Sequence, residues 1–325
     1  GNLVTAVLPA INSSCIKGKH SSHKYYIMYV FFSLLSAWTV FLNLEVIICI
    51  SHFKKLHTPD NLIILSLAVA DMLVGLIVIP LIETCWYFGD TFCDMFIIIM
   101  GLLISTSMCN LVLIAVDRYV ALCHPLLYPQ KITMTKTLIS ICLCWFFSST
   151  YNIGYLVGGR YFEASQRSDE CYGKCYLVIS FSWIFNDLFF SFLLPCTLII
   201  TLYLRIFYVA HQQVKVLNSL MKSGKRVTEG SVRRKSESKA ALTLGIIVTV
   251  YLLCYIPYCI LYVTGSTVIS SATMTFLLWT LYVNSGLNPL IYALFYRWFK
   301  ISVKHILTFK IFEPASSLID IFTDY

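Results

Sequence analysis

The chain has 325 residues, of which 58% are hydrophobic and only 12% are charged, whereas a soluble globular domain carries about 25% charged residues. This composition excludes an ordinary soluble domain and predicts a membrane protein. The net charge of +8 is explained by how Lys and Arg divide across the membrane, and no feature calls for a nucleic-acid partner.

Seven apolar runs are long enough to cross a membrane, and they predict an all-α fold, a seven-transmembrane helix bundle. The runs cover residues 26–50, 62–85, 95–123, 137–157, 177–210, 240–265 and 273–295. An odd number of runs without an internal repeat argues against a duplicated transporter fold. We expect an extracellular tail at 1–24, the seven-transmembrane domain at 25–295, and a short amphipathic helix with a cytoplasmic tail at 296–325.

The distribution of basic residues predicts the orientation of the chain. Most of the 24 Lys and Arg fall on the side opposite the N-terminus, so the positive-inside rule places the N-terminus outside the cell. We therefore expect a multi-pass plasma-membrane protein whose polybasic inner face contacts anionic lipid. Asn12, in Asn-Ser-Ser, is a candidate glycosylation site in the outer tail.

Four cysteines lie outside the apolar runs, namely Cys15, Cys93, Cys171 and Cys175. An even number of cysteines in an oxidising compartment suggests two disulfides. Four cysteines allow three pairings. A bridge from Cys93, which opens the third span, to Cys175, near the fifth, would hold the second outer loop over the mouth of the bundle.

Asp71 is one of few ionisable residues at membrane depth, where a charge costs about 2.5–3.5 kcal/mol. The polar residues best placed to face it are Ser107, Asn284, Ser285 and Asn288. One carboxylate with hydroxyl and amide oxygens suits a hard monovalent cation such as sodium, with waters. The alternative is a hydrogen-bonded polar core without an ion. No cofactor is required, and sodium would act as an allosteric modulator.

The third span ends at the inner face in Asp117-Arg118-Tyr119. Arg118 can pair with Asp117 or reach Glu237 at the base of the sixth span. An ion pair that forms in one arrangement and breaks in another is a bistable element. The alternative is a static structural ion pair.

The end of the seventh span, residues 284–299, is the most informative segment of the chain. It places Asn284, Asn288 and Pro289 inside an apolar run and then becomes aromatic and basic. Asn and Pro are costly in a lipid-facing helix, so they belong where neighbouring helices satisfy them. The segment predicts the last span of a packed bundle, followed by an interfacial helix on the inner membrane surface.

Nearly every span carries a signature residue. They are Asn43, Asp71, Asp117-Arg118-Tyr119, Trp145, Pro195 with Tyr203, Cys254-Tyr-Ile-Pro257 and Asn288-Pro289-Leu-Ile-Tyr292. Together they resemble the rhodopsin class of G-protein-coupled receptors over nearly the whole chain. Within that class, segments 51–59, 85–89 and 284–299 resemble the trace-amine-associated receptors.

The resemblance implies a sensor of volatile or small amines in olfactory neurons. Its partner would be a stimulatory G protein of the olfactory type, which raises cyclic AMP. The resemblance also implies the disulfides Cys93–Cys175 and Cys15–Cys171. The implied activation switch and G-protein face consist of Asp117, Arg118, Tyr119, Tyr203, Glu237, Pro289 and Tyr292.

The expected amine anchor is moved from the third span to the fifth. Aminergic relatives hold the ammonium with a third-span Asp, and that position is Met100 here. Asp187 lies in the outer half of the fifth span, with Ser191 at i+4 on the same face. It resembles the fifth-span acid of a family subset, prominent in fish, that lacks the third-span Asp. An ammonium would give this poorly solvated carboxylate a partner; the alternative is an interhelical hydrogen bond.

The rest of the ligand site is expected to contain apolar and aromatic residues, some adding cation–π attraction. They are Met100, Gly101, Ile104, Tyr255, Tyr258, Trp279 and Tyr282. The sixth span departs from the receptor class in carrying Tyr255 instead of Trp and Tyr251 instead of Phe. Buried Tyr hydroxyls need hydrogen-bond partners, so the geometry of the activation switch should differ.

The sequence therefore predicts an amine receptor, with two alternatives. One is a receptor for a neutral or aromatic ligand in which Asp187 is structural. The other is an ion-coupled transporter that uses Asp71 and Asp187. An enzyme is not expected, because no nucleophile–base pair or set of metal-binding His stands at a span mouth.

Overall fold

A computed structural model describes residues 22–82, 88–165, 175, 181–222, 245–257, 271–295, 297–313 and 316–318. Helices account for nearly all of this part of the chain, which contains no β-strand. The main helices are α1 (Ser22–His52), α2 (Pro59–Leu73, a π-helical turn Val74–Val78 and Ile79–Ile82), α3 (Gly89–Cys123), α4 (Met134–Ser165), α5 (Phe181–Asp187, a π-helical turn Leu188–Leu193 and Leu194–Lys222), α6 (Gly245–Pro257), α7 (Ser271–Phe295) and α8 (Arg297–Leu307).

Helices α1 to α7 each fall on one of the seven apolar runs, which confirms the all-α seven-transmembrane bundle. Among the described residues, five helices are long and apolar enough to cross a membrane, and these are α1 to α5. The described part of α6 is a shorter apolar helix, and α7 adds 25 residues with Pro289 in its interior.

Helix α3 lies at the centre of the described bundle and packs against α2, α4 and α5, while α1 packs against α2 and α7. The inner half of α3 contributes Leu111 and Ile114 to one apolar core, and the outer half of α3 contributes Phe96 and Leu103 to a second. Helix α4 turns the side chain of Phe147 outward, where it is 62% exposed, whereas polar side chains such as Asp71 and Asn288 are buried inside the bundle.

Interhelical hydrogen bonds fix the rotation of these helices at several of the signature residues. The indole Nε1 of Trp145 donates to Ser66 Oγ at 3.1 Å and so joins α4 to α2. The amide of Asn43 donates to the backbone oxygen of Ser285 at 2.9 Å and joins α1 to α7. Such bonds between membrane helices contribute about 0.6–2 kcal/mol each.

The segment after α7 forms the amphipathic helix α8. Trp298 and Phe299 are buried on one face of this helix, whereas Lys300 and Lys304 are exposed on the other. The ring of Phe299 packs edge-on against Tyr292 of α7, with centroids 6.4 Å apart. This is the arrangement expected of a helix that lies on a membrane surface.

The outer end of α3 is tied to the segment before α5 by the disulfide Cys93–Cys175, whose Cα atoms are 5.4 Å apart. This pairing is the one that the resemblance implied. The other expected pair, Cys15 with Cys171, and the glycosylation site Asn12 lie outside the described residues.

Candidate functional site

Asp187 is half-buried in the outer part of α5, where the π-helical turn begins. Its Oδ1 accepts two hydrogen bonds of 2.8 Å, one from the hydroxyl of Tyr151 on α4 and one from Ser191 on the next turn of α5. Its Oδ2 accepts no hydrogen bond from the described residues. The carboxylate is thus fixed through one oxygen, and the other oxygen is available to a ligand.

Aromatic packing between α4 and α5 sets the position of Asp187. One turn above it, Trp183 packs edge-on against Tyr155, with centroids 5.9 Å apart. A Cβ atom on Gly158 would lie 2.8 Å from the Trp183 ring, so glycine permits this close approach. Tyr155 in turn stacks on Tyr151, with centroids 6.2 Å apart. The two helices therefore meet along a continuous aromatic contact that ends at the carboxylate.

Met100 and Tyr282 meet between α3 and α7, and Ile104 lies one turn further in. The Tyr282 hydroxyl donates to Met100 Sδ at 3.6 Å. Tyr282 is 2% exposed, and with Ile104 it lines a small cavity that continues to Asp71. Met100, at the position where the third-span Asp was expected, therefore accepts a hydrogen bond from a Tyr hydroxyl. This bond is weak, because a thioether sulfur is a weak acceptor.

Two residues predicted for the ligand site face elsewhere. Gly101 lies against α4, where a Cβ atom would overlap Asn152 Oδ1. Trp279 stacks on Phe31 of α1, with centroids 4.7 Å apart, and packs edge-on against Phe32. Tyr258 lies outside the described residues. The structure thus groups Asp187 with Ser191, and Met100 with Ile104 and Tyr282.

Tyr255 belongs to an aromatic stack that crosses from α5 to α6. Its ring lies 5.1 Å from Phe192, in the π-helical turn next to Ser191, and 5.5 Å from Tyr251. The ring planes are tilted by only 23° and 12°, and offset stacking of this kind is favourable. Tyr251 reaches the cavity that Asp71 lines, so the stack connects the two polar sites of the bundle.

The residues predicted around Asp71 do come together. Asn288 Nδ2 donates to Asp71 Oδ2 at 2.7 Å, and the hydroxyls of Ser107 and Ser285 lie near this carboxyl. Both serines line the cavity together with Asn284. The buried Oδ1 of Asn284 accepts no hydrogen bond from the described residues. The Oδ1 of Asn288 is buried and accepts none from them either, so the cluster is rich in oxygen ligands and has two unused acceptors.

At the inner end of α3, Arg118 is held by two carboxylates. Its guanidinium forms an ion pair with Asp117 and lies 3.4 Å from Asp60 at the start of α2. The Tyr128 hydroxyl donates to the other oxygen of Asp117 at 3.0 Å. Burial, and then the neighbouring Asp117 carboxylate, raise the pKa of Tyr128 above its usual range, so this hydroxyl remains a donor at physiological pH. Glu237, the predicted second partner of Arg118, lies outside the described residues.

The other predicted switch residues lie around this inner face. Tyr119 packs edge-on against His124, with centroids 5.5 Å apart. Tyr203 is 6% exposed, and its ring would lie 3.2 Å from a Cβ atom on Gly245 of α6. Tyr292 is 1% exposed and follows Pro289 by one turn on α7. Tyr203 and Tyr292 are therefore placed where a movement of α6 or α7 would change their contacts, whereas the ring contact of Tyr119 lies at the end of α3.

Sequence reasoning missed three residues of these sites. Asp60 and Tyr128 flank the Asp-Arg-Tyr segment from other parts of the chain, and each stands beside a proline, at Pro59 and Pro129. A neighbouring proline marks the start of a helix, and this was the feature of the sequence that could have drawn attention to Asp60 and Tyr128. Tyr151 had no comparable signal, because its contact with Asp187 depends on how α4 and α5 are rotated.

The chain is similar to known receptors over nearly its whole length. Residues 42–292 match the family described as 7 transmembrane receptor (rhodopsin family). Trace amine-associated receptor 13c of Danio rerio is 38% identical over 97% of this chain and 95% of its own length. Trace amine-associated receptor 9 of Rattus norvegicus is 37% identical over 97% and 96%, and trace amine-associated receptor 5 of Mus musculus is 36% identical over 100% and 97%.

These matches cover nearly the full length of the chain, and they agree with the bundle and with the arrangement of its signature residues. The family is one of receptors and not of enzymes, which confirms the prediction that this protein is not an enzyme. The protein is a multi-pass plasma-membrane receptor with a small-molecule ligand and a G protein as partners. The chain belongs to the rhodopsin family of seven-transmembrane receptors and, within it, to the trace amine-associated receptors.

Proposed function

We propose that this protein is an olfactory receptor for small amines. It holds the ligand ammonium through Asp187 and signals through a stimulatory G protein to raise cyclic AMP. Its relatives are named trace amine-associated receptors. The observation that carries the proposal is Asp187 itself, a half-buried acid among aromatic residues with one carboxylate oxygen that accepts no hydrogen bond from the described residues. Placing an acid at membrane depth costs free energy, so an acid found there is first interpreted as a functional residue.

The chemistry of this position suits a cation. A carboxylate in an aromatic surrounding is poorly solvated, so an ammonium that forms a charge-assisted hydrogen bond with Oδ2 replaces solvation that the site lacks. The neighbouring rings of Tyr151, Tyr155 and Trp183 add apolar surface for the ligand's hydrocarbon part and attraction for its charge.

A route from the ligand to the inner face is supported by the aromatic stack. A ligand at Asp187 and Ser191 would act on the π-helical turn that contains Phe192, and Phe192 stacks on Tyr255 of α6. A shift of α6 would in turn alter the contact of Gly245 with Tyr203 near the G-protein face. The ligand therefore needs only a differential affinity for the two positions of α6 to shift the receptor toward its active state.

We also propose that the Asp71 cluster binds a sodium ion as an allosteric modulator. A carboxylate, two serine hydroxyls and the unused Oδ1 of Asn284 are hard oxygen ligands of the kind such an ion takes. The cavity of about 20 Å³ between them is large enough for one water-sized particle. Asn288 would keep the carboxylate oriented through its 2.7 Å hydrogen bond.

The experiment that tests the amine proposal is a cyclic AMP assay with a panel of mono- and diamines. Cells would express the wild type, Asp187→Asn and Asp90→Asn at matched surface level. Asp90 is an exposed acid in the first turn of α3, so it controls for a change of charge on the outer face. We expect amines to activate the wild type and Asp90→Asn, and Asp187→Asn to be silent. Equal responses from all three would show that the amine is held elsewhere.

One observation favours a second candidate function. The hydroxyls of Tyr151 and Ser191 already bind Asp187, as they would if the acid only joined α4 to α5. In that case the ligand would be neutral or aromatic. The same assay separates the two candidates, because a neutral odorant panel would then activate the wild type and Asp187→Asn alike while amines activated neither.

A further inference from the structure

A single small cavity brings Tyr251 of α6 together with the Asp71 cluster. The polar residues that line this cavity from α2, α3 and α7 are Asp71, Ser107, Asn284 and Ser285. Tyr251 lines the same cavity from α6 and is 5% exposed, with its hydroxyl oxygen buried. Because this oxygen is the atom of Tyr251 farthest from the α6 backbone, it is the part of the side chain that extends toward the cluster.

The packing of Tyr251 explains its ring but not its hydroxyl. The ring stacks on Tyr255, with centroids 5.5 Å apart and planes tilted by 12°, and a Phe ring would stack in the same way. Burying a hydroxyl costs free energy unless a polar group or an ion meets it. In this cavity the groups that can do so are the polar side chains of the Asp71 cluster and the sodium ion proposed to lie among them.

We propose that the Tyr251 hydroxyl oxygen is a ligand that α6 contributes to the sodium ion of the Asp71 cavity. The inference rests on the proposed function, since it assumes that this cluster binds sodium. A phenol oxygen is an acceptor as well as a donor, and hard cations take oxygen ligands from several groups at once. The cavity of about 20 Å³ holds one water-sized particle, so an occupant lies against the side chains that line it, including Tyr251.

A ligand from α6 changes what the ion does to the bundle. The Asp71 cluster draws on α2, α3 and α7, and a sodium ion that also binds Tyr251 joins α6 to them. The ion then binds more tightly when Tyr251 is in the cavity than when α6 has moved away, and this difference in affinity shifts the receptor toward the first arrangement. The stack from Tyr251 through Tyr255 to Phe192 extends the restraint to the π-helical turn of α5.

The test measures how the stability of the purified receptor depends on sodium. The Tm of detergent-solubilised wild type, Tyr251→Phe, Tyr255→Phe and Asp71→Asn would be recorded across a NaCl series, with choline chloride keeping the ionic strength constant. Tyr255→Phe is the matched control, because it removes a hydroxyl from the neighbouring ring of the stack and Tyr255 is not one of the described residues that line the cavity.

We expect the Tm of the wild type and of Tyr255→Phe to rise over the same range of sodium concentration. In Tyr251→Phe the rise should move to about tenfold higher sodium, since one oxygen ligand is lost. Asp71→Asn should not respond. Tyr251→Leu also lacks the hydroxyl, so it must show the same displacement should Tyr251→Phe not be recovered in folded form.

The possible results separate this inference from the proposal beneath it. If Asp71→Asn does not respond and Tyr251→Phe follows the wild-type sodium curve, the role of Tyr251 is wrong and the ion site stands. A hydroxyl with a purely structural role would give that result together with a lower Tm in choline chloride. An equal displacement in Tyr255→Phe would assign the effect to the aromatic stack and also overturn the inference. If the wild type does not respond to sodium, or Asp71→Asn responds as it does, both proposals are overturned.

Discussion

The guanidinium of Arg118 lies 3.4 Å from the carboxylate of Asp60, so the first turn of α2 is joined to the inner end of α3. Asp117 is the nearer partner and is buried with Arg118. Asp60 is different because its side chain is 34% exposed and it belongs to another helix. It therefore restrains α3 relative to α2, which a pair between adjacent residues cannot do.

Replacing Asp60 with Asn should raise the ligand-independent cyclic AMP signal. The change removes an interhelical partner of Arg118, which lowers the free-energy cost of moving the guanidinium to an active arrangement. Solvent screens a pair that is this exposed, so the effect should be about 0.2–1 kcal/mol, at most about fivefold in basal signal. Basal cyclic AMP at matched surface level is the measurement, with Asp90→Asn as control. An unchanged or lower basal signal would show that this ion pair does not restrain the receptor.

Sodium should stabilise the purified receptor relative to potassium, and Asp71→Asn should remove the difference. An ion that binds only the folded state at ten times its dissociation constant adds about 1.4 kcal/mol, equivalent to a few degrees in Tm. Asn is nearly the same size as Asp and can still pair with Asn288, so the fold is retained. Thermal unfolding in matched NaCl and KCl is the measurement. An equal sodium effect in wild type and variant would place the ion elsewhere.

Gly101→Ala should destabilise the receptor by about 1–3 kcal/mol through overpacking. The new methyl group would overlap Asn152. Asn152 cannot easily move, because its amide donates to Ser105 Oγ at 3.1 Å and to the Ser148 backbone oxygen at 2.7 Å. The free energy of unfolding or the Tm of detergent-solubilised protein would be measured.

Gly154→Ala is the matched control for that experiment, because a Cβ atom there meets no atom within 4 Å. Its stability should equal or exceed that of the wild type by up to about 1 kcal/mol, because Ala favours a helix interior more than Gly does. Similar losses in both variants would mean that the overlap with Asn152 does not explain the result, because Ala favours a helix more than Gly does.

Tyr255→Ala should lower the maximal cyclic AMP response more than it lowers amine affinity. It breaks both ring contacts of the stack, each worth about 0.5–1.5 kcal/mol, between the π-helical turn and α6. Tyr255→Phe keeps the rings and should signal nearly as the wild type does. Phe147→Ala, on the exposed face of α4, controls for loss of an aromatic side chain. A response lost equally in Tyr255→Phe would assign the effect to the hydroxyl.

Much of this architecture could be predicted because it depends on local patterns. Apolar length places the seven helices, and a buried acid requires polar partners, which led from Asp71 to Ser107 and Asn288. The pairing of Asp187 with Ser191 follows from their i, i+4 spacing. Each of these inferences uses either positions on one helix or the free-energy cost of burying a charge. Such reasoning does not require knowledge of how neighbouring helices are rotated.

Contacts that depend on helix rotation could not be predicted in the same way. Trp279 was expected in the ligand site, yet it stacks on Phe31 of α1, because the face that α7 turns inward changes with each turn. Tyr151 joins Asp187 across 36 residues, and no spacing within α4 indicates it. Gly101 faces Asn152 for the same reason. In each case the direction of a side chain is set by packing between helices and not by its own sequence neighbours.

The π-helical turn Leu188–Leu193 gives α5 one residue more than a regular helix would need between Asp187 and Pro195. A regular α-helix rotates by about 100° per residue. Deleting one residue from this turn would therefore restore a regular helix and leave Asp187 and Pro195 on their present faces, whereas a deletion elsewhere in α5 would rotate the outer segment by about 100°. The turn is thus the place where α5 can lose a residue while Asp187 continues to face Tyr151.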